Sequence, residues 1–337
     1  MKKAILFVLS LLMAISPCFS QRTQKVGLVL SGGGARGLAH IGAIQALEEN
    51  NIPIDYVAGS SVGAIVGALY ASGYSVEQMK GLFLSEDFQR WLSGKVDKNY
   101  SYFYKENEKD PALVTFTFDT KNKFRFQIPS SVVNPIQMDY ALMEIFAGAS
   151  AVANNNFDSL MIPFFCITSD IEAGKASIRR KGDLGQAVRA SMTFPFYFTP
   201  ITIEGKVMFD GGMYNNFPSK EMQEIYNPDI IIGVKISGNY PPPREGDVVS
   251  YLQNIVTKET DYNITCENSV IIEPDLKPFG ILDFGKMEET YSIGYYAAKE
   301  KIAKIREFQI DSTTKEELDL IRKSFNNISN ITSTSTK

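Results

Sequence analysis

The sequence predicts an α/β fold: a mostly parallel central sheet, helices on both faces, and one inserted hairpin region. Two short apolar runs, Lys25–Leu30 and Asp55–Ala58, are each followed by a glycine-containing turn and a helically spaced segment. Their connections are short, so the strands run parallel and the helices cover the sheet. With 337 residues, 44% apolar and 21% charged, the chain is long and apolar enough for a sizeable core.

The elements follow in order. After the strand Lys25–Leu30 comes a helix at Leu38–Asn50, with Ile41, Ile44 and Leu47 on one face. The strand Asp55–Ala58 leads into a helix at Ser61–Ser72, stopped by Gly73. Residues 81–131 break the alternation. There Ala112–Phe118 and Phe124–Ile128 alternate apolar and polar residues around Asp119–Lys123, which predicts a hairpin. From Phe83 to Ser130 eleven of 48 residues are aromatic, about twice the chain average, which suits either packing on the core or a lipid-facing flap. The alternation resumes with a helix near Gln137–Phe146 and strands near Pro163–Thr168 and Ile230–Ile236. A strand at Val270–Ile272 precedes a helix around Met287–Glu307. Pro241-Pro242-Pro243 marks an exposed connection, because apolar elements continue beyond it. Residues 311–337 read as a C-terminal helix whose end, Asn326–Lys337, is Ser/Thr/Asn-rich and expected to fray.

The first twenty residues stand apart from this pattern. Lys2-Lys3, the apolar run Ala4–Ile15 and small residues before Gln21 predict a signal peptide at 1–20 and an exported protein, periplasmic or secreted. The run is short for a membrane span, which needs ~20 apolar residues. Ile15-Ser16-Pro17-Cys18 resembles a lipoprotein box, but Pro17 stands where a small residue belongs, which argues against anchoring at Cys18. Loss of residues 1–20 removes two lysines and no acid, taking the formal charge from −4 to −6. Such a chain is not a nucleic-acid binder and is not drawn electrostatically to an anionic membrane. Of the remaining cysteines, Cys166 lies in the apolar run Ile162–Ile167 and reads as a buried thiol rather than half of a disulfide with Cys266.

Two glycine turns carry the chemistry. Ser31-Gly32-Gly33-Gly34-Ala35-Arg36-Gly37 lies between a strand and a helix. Taken alone, Gly32-x-Gly34-x-x-Gly37 fits a dinucleotide fingerprint and an oxidoreductase. That fingerprint also wants an acid closing the second strand, and Asp55 opens it instead. What closes the strand is Gly59-Ser60-Ser61-Val62-Gly63, a G-x-S-x-G between strand and helix: a nucleophile elbow, or a glycine turn with a capping Ser. The glycine loop one strand earlier can offer N–H groups as an oxyanion hole, which favours the enzyme. A serine nucleophile needs a base. The only histidine, His40, precedes Ser61 and opens the first helix, where packing or capping suits it better. Asp210-Gly211-Gly212, after the apolar Val207-Met208-Phe209, puts an acid at a strand end. A surface turn would look much the same; the absence of a downstream histidine is what promotes Asp210.

Together these pieces resemble the patatin-like phospholipase family, in particular its bacterial, exported, single-domain members. Gly32–Gly37 is similar to the family's oxyanion motif, Gly59–Gly63 to its elbow and Asp210-Gly211-Gly212 to its D-G-G/A motif. Leu38–Gly42, Ala190–Pro195 and Asn215–Pro218 also look like that family, so the resemblance spans roughly residues 24–305 of a domain placed at 21–310. It implies a three-layer fold and a Ser61–Asp210 dyad cleaving acyl esters of lipids through an acyl-enzyme. Gly32, Gly33, Gly34 and Arg36 would then hold the developing negative charge, or Arg36 a lipid phosphate. Membrane phospholipid or another acyl lipid is the implied substrate, with peripheral membrane contact and no cofactor or metal. Phe194, Phe196, Tyr197 and Phe198 suit an acyl groove or core packing equally. The rival reading within the same fold is a non-catalytic lipid-binding module.

Overall fold

The computed structural model describes residues 24–94, 115–118, 124–127, 131–243, 245–246, 248–308 and 311–335. The expected signal peptide and the hairpin turn at 119–123 lie outside the described residues.

In chain order the elements are β1 (Val26–Leu30), α1 (Leu38–Glu49), β2 (Tyr56–Ser60), α2 (Val62–Ala71), α3 (Val76–Leu84) and α4 (Glu86–Ser93). Then come β3 (Thr115–Phe118), β4 (Phe124–Gln127), β5 (Ser131–Val133), α5 (Ile136–Val152), β6 (Phe164–Asp170), β7 (Lys175–Arg179) and α6 (Leu184–Ser191). The chain continues through β8 (Phe196–Phe198), β9 (Ile201–Ile203), β10 (Lys206–Asp210), α7 (Ser219–Tyr226), β11 (Ile230–Val234) and α8 (Val248–Val256). It closes with β12 (Ser269–Ile272), α9 (Met287–Arg306) and α10 (Lys315–Ser335).

The main sheet runs β12-β11-β1-β2-β6-β10-β9, with β7 also on β6. From β12 to β6 every pairing is parallel, as expected from the strand–helix alternation. Beyond β6 the sheet turns antiparallel, so a mostly parallel sheet carries an antiparallel end. The cause is local. β9 and β10 are joined by Glu204-Gly205, both at positive φ, a two-residue hairpin turn that needs no crossover helix.

Alternation along the buried strands divides the side chains between two faces. Val26, Leu28, Leu30, Val57, Phe164, Cys166, Ile230 and Ile232 join the larger core with α1, α2 and α9. Val29, Ala58, Phe165, Ile167 and Ile231 point the other way, onto Met222 and Ile225 of α7. Helices cover both faces, which makes three layers.

β6 is the rail on which the site is built. At Cys166–Ile167 it pairs with β2 and β7, and at Thr168–Asp170 with β7 and β10. A strand has two edges, so β2 and β10 share one. β2 is parallel to β6 and β10 antiparallel, hence they meet head to head. The last register pairs are Ser60 with Ile167 and Asp210 with Thr168. Two residues 149 apart in sequence, Ser61 and Asp210, are thereby brought to one junction.

Other departures from the sequence reading have equally local causes. The first part of the 81–131 region is helical: Ser75 and Gln78 form a capping box that starts α3, and Ser85 caps α4. β3 and β4 pair antiparallel, with Thr115 opposite Gln127, as the alternation predicted. At the C-terminus α10 runs past Asn326 to Ser335. Thr314 and Glu317 cap its start reciprocally, the Arg322 guanidinium pairs with Glu48, and Asn326 Nδ2 donates to the Gly73 carbonyl.

Candidate active site

Ser61 sits between β2 and α2 with φ 53° and ψ −124°, a backbone conformation that costs a non-glycine residue of order 1–3 kcal/mol. The turn is possible only because its neighbours are bare. A Cβ on Gly59 would lie 2.3 Å from the Gly63 carbonyl oxygen, and one on Gly63 2.4 Å from that of Leu30. At the opposing strand end, a Cβ on Gly211 would lie 2.2 Å from the Ile167 oxygen. Strain, then, holds the Ser61 hydroxyl at the mouth of α2.

That hydroxyl donates to Asp210 Oδ2 at 2.7 Å. Asp210 Oδ1 accepts from the Gly212 N–H at 2.7 Å, which leaves Oδ2 to face the serine. Asp210 is 4% exposed, and this burial pushes its carboxyl up from an ordinary 3.8 to about 6, against the two hydrogen bonds that favour the charged form.

The glycine loop stands over this pair. The N–H groups of Gly33 and Gly34 have no partner among the described residues, and both glycines line the cleft beside Ser61. Gly32 does not share that position. Its N–H is shared between the carbonyl and the side-chain Oδ1 of Asn216, at 3.2 and 3.1 Å, so it is already committed. Arg36 lines the cleft, but its Nε and one terminal nitrogen donate to the Phe279 carbonyl and the other to that of Ile236. Most of its donors are spent on bracing the loops.

His40 is fully buried, and its Nε2–H donates to the Ser31 carbonyl at 2.7 Å. A carbonyl only accepts, so the proton is on Nε2 and the ring supports the glycine loop from behind. Burial pushes its pKa down to about 4, keeping it neutral. Cys166 is a buried free thiol pushed up to about 12, and Cys266 is also free.

The cleft has a volume of about 810 Å³. One side is apolar, lined by Phe83, Phe88, Leu92, Met192, Phe198 and Phe284. Phe194 and Tyr197 join them, whereas Phe196 points away and is 45% exposed. The other side is polar and centred on Asn216, whose Nδ2 donates to Ser237 Oγ and Tyr262 Oη and whose N–H donates to Thr260 Oγ1. Three residues at or behind the cleft escaped the sequence reading as site residues. Asn216 and Ser191 lie inside stretches resembling the family but without an assigned role, and Tyr240 carries no local signal at all. Among the described residues no group of His, Cys, Asp and Glu is placed to hold a metal, and no helix is long and apolar enough to cross a membrane.

A strained serine, a buried carboxylate in contact with it and unpaired N–H groups beside both, on a three-layer α/β scaffold, define the class of serine-type acyl hydrolases. The chain belongs to the patatin-like phospholipase family, whose model matches residues 28–222, a span containing both Ser61 and Asp210. The chain is 28% identical over 312 residues to a lysophospholipase of Aspergillus terreus, covering 84% of this chain and 18% of that protein. A lysophospholipase of Phaeosphaeria nodorum is 27% identical over 325 residues, with 87% and 19% covered. The chain thus spans about a fifth of the length of these curated relatives. Among solved structures it is similar to VipD from Legionella pneumophila, with a TM-score of 0.45, 15% identity, and 83% and 67% of the two chains covered.

Proposed function

We propose that the chain cleaves fatty-acyl esters of phospholipids, as a phospholipase A or lysophospholipase, with Ser61 as nucleophile and Asp210 as base. The 2.7 Å contact between Ser61 Oγ and Asp210 Oδ2 carries this reading. Asp210 takes the hydroxyl proton as Ser61 attacks the ester carbonyl. The N–H groups of Gly33 and Gly34 donate to the developing oxyanion, a role in which one donor typically contributes ~2.7–4 kcal/mol. The alcohol leaves with a proton returned through Asp210, and water, activated by the same carboxylate, releases the fatty acid.

The cleft supports a lipid as the substrate. Its volume falls in the ~300–1,000 Å³ range of sites that enclose a small molecule. The Phe83–Phe88 side suits an acyl chain, and the Asn216–Tyr262 side a polar head. Leu282, 50% exposed on the cleft, gives an apolar point at its rim for peripheral contact with a lipid surface. Such contact is apolar rather than electrostatic, given the acidic chain. The decisive experiment assays phospholipids, lysophospholipids, glycerides and acyl-CoA with wild type and Ser61→Ala. Fatty-acid release from phospholipid or lysophospholipid by wild type alone is expected. Binding of lipid without release by either protein would instead mark a lipid-binding module.

The leader-like residues 1–20 support reading the protein as an exported member of the bacterial type. N-terminal sequencing of the native protein is expected to begin at Gln21; an intact Met1 would refute export.

A further inference from the structure

The mechanism gives the polar residues of Ala190–Pro195 no task, yet the segment touches both members of the dyad. Ser191 is fully buried at the end of α6. A helical serine commonly turns its hydroxyl back onto its own helix, four residues earlier. Ser191 does not. Its Oγ accepts the Ser61 N–H at 3.0 Å and donates to the Ile167 carbonyl of β6 at 2.6 Å. Ile167 is the residue in register with Ser60, at the end of the β2–β6 ladder. The left-handed turn at Ser61 leaves that ladder, and the Ser191 hydroxyl links the departing N–H back to its rail. Two residues on, the Thr193 carbonyl accepts the Asp210 N–H at 2.9 Å. Thr193 is itself fixed: its Oγ1 donates to the Arg189 carbonyl at 2.8 Å and receives the Arg189 guanidinium, whose side chain is 3% exposed and also holds the Thr199 carbonyl and Asp139.

We propose that Ser191 is a positioning residue for the nucleophile, the working part of a clamp, Arg189–Thr193, that holds the backbones of Ser61 and Asp210 from one short segment. The proposal rests on Ser61 being the nucleophile. Without the Ser191 hydroxyl, the Ser61 N–H is left buried and unpaired, and the strained turn that aims Oγ at Asp210 loses its anchor. Nothing in the cleft wall changes, so lipid binding is untouched.

The test compares wild type, Ser191→Ala and Ser191→Cys, the last keeping a weak donor and acceptor of similar size. The readouts are kcat and KM on the best lipid substrate and the rate of covalent labelling by a fluorophosphonate. Ser191→Ala is expected to lose roughly 10–100-fold in kcat and in labelling rate, with KM within twofold. Ser191→Cys should fall between it and wild type. Wild-type kcat in Ser191→Ala, or a loss confined to KM, overturns the clamp. Should Ser191→Ala fail to fold, wild-type kcat and labelling in Ser191→Cys overturn it equally. Failure of the underlying reading looks different, because Ser61→Ala would then remain active.

Discussion

Ser61→Ala is expected to abolish fatty-acid release, with a loss on the order of 10⁴–10⁶-fold in kcat, as when serine hydrolases lose a member of the catalytic set. The substitution removes one oxygen and keeps Cβ, so the elbow geometry and the packing of Gly59 against Gly63 persist. It also frees Asp210 Oδ2 from its side-chain donor, the Ser61 hydroxyl. Hydrolysis by Ser61→Ala within tenfold of wild type would remove the nucleophile from the mechanism.

Asp210→Asn is expected to lose ~10²–10⁴-fold in rate, the contribution of a positioned general base, without losing stability. Activity of wild type should rise with pH through about 6, where Asp210 ionises, and then level off. Stability runs the other way. Between about pH 4 and 6 the folded protein keeps a proton on Asp210 that the unfolded chain has lost, so stability falls as pH rises through that window. From 3.8 to about 6, at ~1.36 kcal/mol per pH unit, the penalty above the window is roughly 3 kcal/mol. Asn carries no charge to desolvate, and thermal melts at pH 8 should find Asp210→Asn at least as stable as wild type. His40 is the contrast. The unfolded chain protonates its imidazole near 6.5 and the folded protein only near 4, so stability is lost as pH falls between them. His40→Gln should lose much less activity than Asp210→Asn, since its ring supports the loop and does not meet Ser61. The reverse order, with His40→Gln inactive and Asp210→Asn near wild type, would make the imidazole the base.

How far the sequence reaches depends on whether a feature is local. The elbow, the glycine loop and Asp210-Gly211-Gly212 were legible because each must be glycine-rich where backbone crowds backbone. The parallel half of the sheet was legible too, from the alternation of apolar strands with helices. Its antiparallel end was not, because Glu204-Gly205 is a weak hairpin signal beside Asn-Gly or Asp-Gly. The capping box at Ser75 and Gln78 was present in the sequence, but the aromatic content downstream drew attention to an insertion. The polar composition of α10 hides the pairing of Arg322 with Glu48, 274 residues away. The loss of Gly32 from the donor set has the same origin: Asn216 reaches it across 184 residues, a distance at which no spacing rule operates. Asn216 and Ser191 act through contacts between distant elements, and only the assembled sheet brings them to the site.

The most direct measurement maps the adduct formed by a fluorophosphonate, by intact mass and peptide analysis, on wild type and Ser61→Ala. One adduct per chain, located at Ser61 and missing from the Ser61→Ala protein, is the expected result. An adduct at another residue, or labelling of Ser61→Ala at the wild-type rate, would contradict the assignment of the nucleophile.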